Sequence, residues 1–562
     1  MNHNENLTQS TKSKFNGIIS VSGTKELAAK AGTSVAIILL TYSILITKLS
    51  FGSYGLIHSL PLTYFIGLSL LVACSVILWN DSEKNFGIIT IQLIAFLAGL
   101  WLVPFIIEQV PSRTSYFCAG FVEYIVRQGT LNPEVAFYHN WPGFSILNAI
   151  LVNVLGLTDF TKLMGLTPFF SNCLYFLALC LLRRFMCKQD LATAWWPMVW
   201  MFFIANYLGQ DYFSPQGMAY FLFLIFVGLL LISQETDNYA SGSTGRILQL
   251  LFFCSITITH ALTSIIAVVA FFILGFRREK WLSSLFITVI VILISWTFYG
   301  AFAYFSGHIS GMLNELFNLE MSIHQNVVRV GSTGDDQVDK ISEIYTLILL
   351  ILPTLGWLTT KKGLPKNVFT RLGIAPLFLP IFLSYNGEMI VRVLLFLLLP
   401  IAFFSTSFFR NKKALVSYGL IIFLVISIPL HILIRYGNEE YNYVSLGELD
   451  AANFLFGKAA HEFEIVTEND PILKQRDIER FAIVLTSTST LKDGKIIGPW
   501  SKDKNDPQYV VLSRGTWVAY KRFMTDIGNS KLRKIQGVLQ KSTNYELIYA
   551  NKDSSIYNFR EV

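Results

Sequence analysis

Charge is scarce in this chain. Only 14% of its 562 residues are Asp, Glu, Lys or Arg, and 53% are hydrophobic. With a mean hydropathy of +0.50, that balance excludes an ordinary soluble protein of this length. Cysteine is nearly absent too. Of six residues, Cys74, Cys173, Cys180, Cys187 and Cys254 fall in or at the ends of apolar runs, and Cys118 stands alone in a loop. No disulfide framework or thiolate metal site can be built from that set. The C-terminal region lacks a nucleophile elbow, a glycine-rich phosphate loop and any metal-ligand spacing, so it reads as a lid or binding domain rather than a catalytic one. No signal-peptide pattern precedes the first apolar run, and residues 1–33 are expected to be a disordered cytoplasmic tail. An internal inverted repeat is missing as well, which argues against a transporter.

What the chain does have is apolar length. Thirteen stretches read as spans: 34–49, 61–79, 86–108, 163–182, 192–209, 216–233, 246–259, 261–276, 282–305, 342–359, 367–384, 389–408 and 415–434. Most carry the roughly 17–25 residues that a hydrocarbon core requires. The seventh and eighth are short and share a break at His260, so they read as two half-length helices. With the N-terminus in the cytoplasm, alternation gathers Lys12, Lys14, Lys84, Arg183, Arg184, Lys188, Arg277, Arg278, Lys361, Lys362, Lys366, Arg410 and Lys412 inside. The outer loops keep only Arg113, Arg127, Lys162, Arg329 and Lys340, with Lys48 near an outer helix end. This is the positive-inside bias. It implies a multi-pass plasma-membrane protein with residues 435–562 extracytoplasmic. The net charge of +7 is mostly this topological signal and implies no nucleic-acid partner.

One apolar segment is kept out of the bilayer. Residues 142–158 open with Pro-Gly and carry Asn148 and Asn153, and counting them as a span would reverse the charge rule in every later loop. They read as a surface helix at the outer interface. Three outer features follow. The first is a loop, 109–162, containing an amphipathic helix over 116–127. There Tyr116, Phe117, Ala119, Val122 and Ile125 or Val126 recur at helical spacing, Glu123 and Arg127 pair at i,i+4, and Gly129 ends the helix. The second is a loop, 306–341, with His308, His324, Arg329, Asp335, Asp336 and Asp339. The third is a small α/β domain, 435–562. Strands are expected at 463–467, 481–486, 508–513, 545–549 and 555–559, helices at 445–460 and 530–541, and a terminal hairpin turning at Asn551-Lys552-Asp553.

Polar residues at the outer ends of spans are the candidate chemistry, because ionisable groups at membrane depth are costly. Asp211 lies in GQDYFSPQG, His260 in ITITHALTS, Glu388 and Arg392 in YNGEMIVRV, and His139 and Trp141 in YHNWPGF. Each also has a structural reading. Glu388 and Arg392 are one turn apart and could be a buried pair. Asp211 could be a helix-terminal carboxylate, His260 a hydrogen-bonded helix break, and His139 an aromatic-belt neighbour of Tyr138 and Trp141. The topology puts all of them on one face. There, carboxylates and imidazoles suit general-base catalysis or a divalent metal, with His139, Asp211 and His260 as candidate ligands.

The layout resembles the GT-C membrane glycosyltransferases, the class that includes protein O-mannosyltransferases, aminoarabinose transferases and oligosaccharyltransferase catalytic subunits. FVEYIVRQGTLNP followed by YHNWPGFSILNAILVNVLG looks like the class's two surface helices joined through a Gly turn, and RRFMCK matches the basic turn after the next span. The resemblance implies a polytopic α-helical fold of about thirteen spans over 34–434. It also implies a sugar donor linked to polyprenyl phosphate, membrane lipid contacts, and a glycan, lipid or protein acceptor. Asp211 takes the position of the class's second acidic residue. At the usual first-loop Asp position, Thr114 or Ser115 stands instead, so Glu108 and Glu123 are the nearest catalytic acids. Arg392, Glu388, His139, His260 and Trp141 are the expected substrate contacts. The alternatives are a non-catalytic GT-C relative, or a polymerase, ligase or flippase of cell-envelope polysaccharide assembly.

Overall fold

The computed structural model describes residues 4–560 apart from 51–53, 109, 111, 135–136, 234–242, 276–279, 308–335, 383–388, 411–413, 438, 459–463, 468–470, 477, 479–489, 493–494, 498–507 and 524. The expected strand at 481–486 and the residues His308, His324, Arg329, Asp335 and Glu388 lie outside that set, as does the side chain of Glu108.

The chain is a helix bundle with a small sheet at its C-terminal end. In order come α1 (Asn4–Ile46), α2 (Leu62–Leu78), α3 (Phe86–Leu97), α4 (Val103–Glu108), α5 (Thr114–Gln128), α6 (Gly143–Leu155), α7 (Thr161–Lys188), α8 (Ala192–Ala205) and α9 (Pro215–Ser233). Then follow α10 (Ser243–Thr259), α11 (Ala261–Gly275), α12 (Lys280–Ser295), α13 (Asp336–Thr359), α14 (Leu364–Ile374), α15 (Met389–Arg410) and α16 (Ala414–Tyr436). Among the described residues, eight helices are long and apolar enough to cross a membrane. Four expected spans are shorter apolar helices, at Ala192–Ala205, Thr244–Thr259, Ala261–Gly275 and Ser284–Gly300. The expected span 367–384 is broken, running as α14, a 3-10 turn and a four-residue helix ending at Phe382. The expected disordered N-terminal tail is helical from Asn4 onward, continuous with the first span.

The shortness of α8 has a physical reason. It is buried all round from Ala194 to Ala205, with Trp195, Trp196 and Trp200 inside the bundle, and a helix surrounded by protein need not match the bilayer thickness. The amphipathic helix α5 ends at Gly129, whose φ of 67° is the left-handed cap and whose N–H donates to Ile125 O at 2.8 Å. Helix α6 has 13 residues, about 20 Å at 1.5 Å per residue. It buries Phe144, Ser145, Asn148 and Val152 and leaves Ile146, Ile150 and Val154 exposed along its other side. That is an apolar outer face on a helix too short to span.

The C-terminal region is a three-layer α/β unit. Helix α17 (Leu446–Lys458) leads into β1 (Glu464–Val466), the hairpin β2 (Thr490–Lys492) and β3 (Lys495–Ile497), then β4 (Gln508–Ser513). Helices α18 (Arg514–Phe523) and α19 (Thr525–Lys541) follow, then β5 (Tyr545–Ala550) and β6 (Ser554–Phe559). The main sheet has the order β1-β4-β6-β5, parallel at β1/β4 and antiparallel elsewhere. Side chains alternate across it as the pleat demands. Tyr509 and Val511 pack with Ala451, Ala452 and Leu455 of α17, whereas Val510 and Leu512 pack with Leu532 and Leu539 of α19. The final hairpin turns where expected, with Asn551 Oδ1 accepting the N–H groups of Asp553 (2.9 Å) and Ser554 (2.8 Å).

This unit is not free-standing. Its α17 face shares one core with Tyr116, Cys118, Ala119 and Val122 of α5, Phe144 and Ala149 of α6, and Phe213. Loop 109–162 and the domain therefore form one packed layer over the same end of the bundle, here called the domain end.

Candidate functional site at the domain end of the bundle

The segment 209–217 turns from α8 into α9. Pro215 opens α9, where a missing N–H costs nothing and φ is already helical. Two polar networks meet on this turn.

The first is centred on Asp211, which is 1% exposed. Its Oδ1 accepts from Arg435 Nη2 at 2.5 Å and its Oδ2 from Asn172 Nδ2 at 2.5 Å. Asn172 Oδ1 in turn accepts from Asn206 Nδ2 at 2.9 Å. Arg435 closes α16, Asn172 lies within α7 and Asn206 follows α8, so three helices fix one carboxylate. The Arg435 side chain is 6% exposed. An ion pair this deep is a liability if either partner is lost.

The second network runs through Gln216, the second residue of α9. Arg392 Nη1 of α15 donates to Gln216 Oε1 at 2.7 Å. Gln216 Nε2 reaches Thr263 Oγ1 at 3.5 Å, and Thr263 Oγ1 lies 3.1 Å from His260 Nδ1. The Thr263 N–H also donates to His260 Nδ1 at 3.3 Å. His260 thus caps α11 across the break after α10, and its Nδ1 lone pair is spent on that cap. The Asp211 network and the Gln216 network, with Arg392 and His260 in the second, are therefore both anchored on one nine-residue turn. Helix α6 packs above it: Phe144 meets Phe213 with ring centroids 4.8 Å apart.

His139 is not in this assembly. Its Nδ1 accepts the Asn132 N–H at 3.1 Å and its Nε2 faces Phe121 O at 3.2 Å, which ties the loop to α5. Burial pushes the imidazole below its ordinary range against the raising effect of the Phe121 and Asn132 backbone, so it is neutral at pH 7. Trp141 packs edge-on to Tyr304 at 5.2 Å. The Asn140 side chain beside it accepts the Tyr304 N–H at 3.1 Å, and Asn140 O accepts Trp296 Nε1. Glu123 is held by Arg127 Nε at 2.8 Å. Glu108 is the last residue of α4.

His139, Asp211 and His260 consequently do not form a shared metal donor set. Both imidazole nitrogens of His139, both oxygens of Asp211 and Nδ1 of His260 already have partners. Among the described residues no group of three or more His, Cys, Asp or Glu could hold a metal ion.

A third node holds the domain in place. Arg113, at the start of α5, is 2% exposed. It donates to Tyr441 O (3.1 Å), Tyr443 O (3.1 Å) and Glu448 Oε1 (2.7 Å). Glu448 is 1% exposed. It also accepts the N–H groups of Gly515 (2.8 Å) and Ser445 (3.0 Å) and the Arg514 Nε (3.4 Å). A side chain on Gly515 would sit 2.4 Å from the Arg113 guanidinium, so glycine is what lets the two meet. Although burial acts to raise it, Arg113 and Arg514 hold the Glu448 carboxyl below the usual range.

Asn172, Asn206, Arg435, Arg113 and Glu448 were not singled out from sequence. Two signals were present. Arg113 and Arg435 are basic residues on the side where the charge rule places few, and Ser445-Leu-Gly-Glu448 is a capping box, with the Glu448 N–H on Ser445 Oγ at 3.2 Å.

No family model matches the chain, and no curated protein matches it. Among solved structures it is similar to ArnT from Cupriavidus metallidurans bound to undecaprenyl phosphate. That likeness has a TM-score of 0.48 and 13% identity, over 84% of this chain and 97% of that one. It is similar also to the apo state of the same protein, with a TM-score of 0.48 and 11% identity over 85% and 98% of the two chains.

Proposed function

We propose that this chain is a GT-C-type membrane glycosyltransferase that moves a sugar from a polyprenyl-phosphate carrier to an acceptor on the outer face. The observation that carries the reading is that the Asp211 network and the Gln216 network, which takes in Arg392 and His260, are both anchored on the 209–217 turn, beneath a surface helix whose other face is apolar. In this reading an acceptor hydroxyl or amide attacks the anomeric carbon. The carbon–oxygen bond to the carrier phosphate breaks, and the electron pair leaves with the phosphate. Asp211, which Arg435 holds in place, takes the acceptor proton; Glu108 is the further acid to be tested for that role. Arg392 holds the leaving phosphate, since a guanidinium can donate to two oxygens at once. No metal enters the scheme.

Incubation of the purified protein with labelled polyprenyl-phosphate sugars and crude envelope acceptors tests this. Transfer is expected, and its absence with every donor sinks the reading. A non-catalytic relative is the second reading. It draws on one observation: Asp211 and Glu123 are both ion-paired.

Two expected results belong here. Arg392→Lys should lower kcat by about tenfold or more while expression and melting stay near wild type, because lysine cannot reproduce a two-pronged phosphate contact. Equal loss of folded protein would make Arg392 structural. For topology, the naturally exposed Cys187 should be labelled by an impermeant maleimide only after the membrane is opened, and Lys552→Cys in the terminal hairpin should be labelled in intact cells. The reverse pattern would invert the orientation and end the outer-face reading.

A further inference from the structure

We propose that the space beneath Asp211 enclosed by Trp101, Asn206, His431 and Arg435 is a buried water site, and that His431 is a positioning residue that steadies the Arg435 guanidinium through that water. The site stands on its own; its bearing on Asp211 rests on the reading above.

The local build is unusual. Between α3 and α4 the helix passes through a π-turn at Ala98–Leu102, a distortion often found at functional sites. Two tyrosine hydroxyls take carbonyls in the turn: Tyr64 bonds Gly99 O at 2.8 Å and Tyr436 bonds Leu100 O at 2.9 Å. The turn carries Trp101 to the face of α16. Its ring meets His431 edge-on at 5.6 Å, and the Arg435 Cζ lies 5.8 Å from it. His431 and Arg435 are one helical turn apart and share a face. His431 Nδ1 donates to Ile204 O at 3.0 Å, two residues before Asn206.

Five buried polar atoms on these four residues make no hydrogen bond within the protein: Trp101 Nε1, Asn206 Oδ1, His431 Nε2, Arg435 Nε and Arg435 Nη1. Their chemistry selects the occupant. Because His431 Nδ1 carries the proton given to Ile204 O, Nε2 presents a lone pair. Asn206 Oδ1 is also an acceptor, while Trp101 and Arg435 supply donors. Water both gives and accepts, and needs two to four such partners. An anion would face two acceptors and an arginine already neutralised by Asp211. A cation would face the guanidinium. At membrane depth, leaving all five atoms dry is the expensive option.

X-ray-generated hydroxyl-radical labelling of the full-length protein in nanodiscs tests the site, since water activated in place oxidises the side chains beside it. Trp101 should be modified in proportion to dose. Trp195, equally buried but with its Nε1 bonded to Leu179 O, should not. His431→Phe should lose the Trp101 label, and His431→Gln, which keeps an acceptor, should retain it. Where transfer is measurable, His431→Phe should lower kcat with KM unchanged, and His431→Gln should restore it. A Trp101 label no greater than that of Trp195 in the wild type overturns the proposal even if the Phe variant does not fold. An unchanged label in folded His431→Phe, or loss of the label in His431→Gln, does so as well. Labelling without any transfer activity sinks the glycosyltransferase reading and leaves the water site intact; transfer without labelling does the opposite.

Discussion

Glu448→Ala is expected to cost about 3–5 kcal/mol, because it strands two arginines in a buried joint. One carboxylate serves four donors from three segments: Arg113 of the first loop, Ser445 at the start of α17, and Arg514 and Gly515 at the start of α18. The same two arginines grip the connector out of α16, with Arg113 on Tyr441 O and Tyr443 O and Arg514 on Glu440 O at 2.8 Å. Loss of Glu448 should therefore loosen the domain first rather than melt the bundle. Limited proteolysis of the purified protein should show new cleavage within 437–445, with the helical core surviving. Gly515→Ala should do the same by displacing the guanidinium. Breaking the half-exposed Glu123–Arg127 pair by Arg127→Ala should cost only about 0.5 kcal/mol. The pH dependence has a definite sign. A carboxyl held low contributes its full stability above the ordinary carboxylate range and loses it as pH falls through the lowered value. Protease resistance at the connector should thus be flat from neutrality to about pH 5 and fall in stronger acid. A fall beginning near pH 7, or an unchanged cleavage pattern in Glu448→Ala, would show that the joint does not depend on this charge.

Much of the fold was legible because its signals are local. Gly129 stops α5 through one backbone angle, the α6 segment is marked by its own Pro-Gly and length, and Asn551 forms the last turn with its own neighbours. Strand β4 was placed at its observed ends because a six-residue apolar run can do little else between two faces of a sheet. Helix α18 was missed. Its N-cap is Ser513, whose Oγ accepts the Thr516 N–H at 3.2 Å, but that serine also ends β4 and so reads as the close of a strand. Helix α19 begins at Thr525, five residues before the expected start at 530. That the domain's core is completed by α5 and α6 was not legible, because sequence periodicity reports that a face is apolar without naming what covers it.

The site was half legible for the same reason. Asp211, His260 and Arg392 could be flagged one at a time by polarity inside apolar runs. Their partners could not, because Arg435 is 224 positions from Asp211 and Glu448 is 335 from Arg113. The exceptions to the charge bias were the usable clue. Arg113, Arg127 and Arg435 are each held by a carboxylate, as arginines on the sparsely basic side of a membrane protein must be when they are buried or half-buried.

Asp211→Asn alone cannot separate chemistry from folding. It preserves size but leaves Arg435 buried and unpaired, an expected loss of about 3–5 kcal/mol that would lower activity even if Asp211 never touched a substrate. The double variant Asp211→Asn/Arg435→Gln resolves this. Two neutral side chains can exchange hydrogen bonds with each other and with Asn172, so stability should return to within about 1 kcal/mol of wild type. The positive coupling energy in that cycle is the expected result of melting measurements on all four proteins. Transfer, by contrast, should stay absent in the double variant, because neither an amide at 211 nor one at 435 can take the acceptor proton. If the double variant regains both stability and transfer, Asp211 is a structural partner of Arg435 and the catalytic acid lies elsewhere, with Glu108 the first position to test. If stability is not regained, the pair is fixed by more than its charge, and the water beneath it becomes the next term to remove.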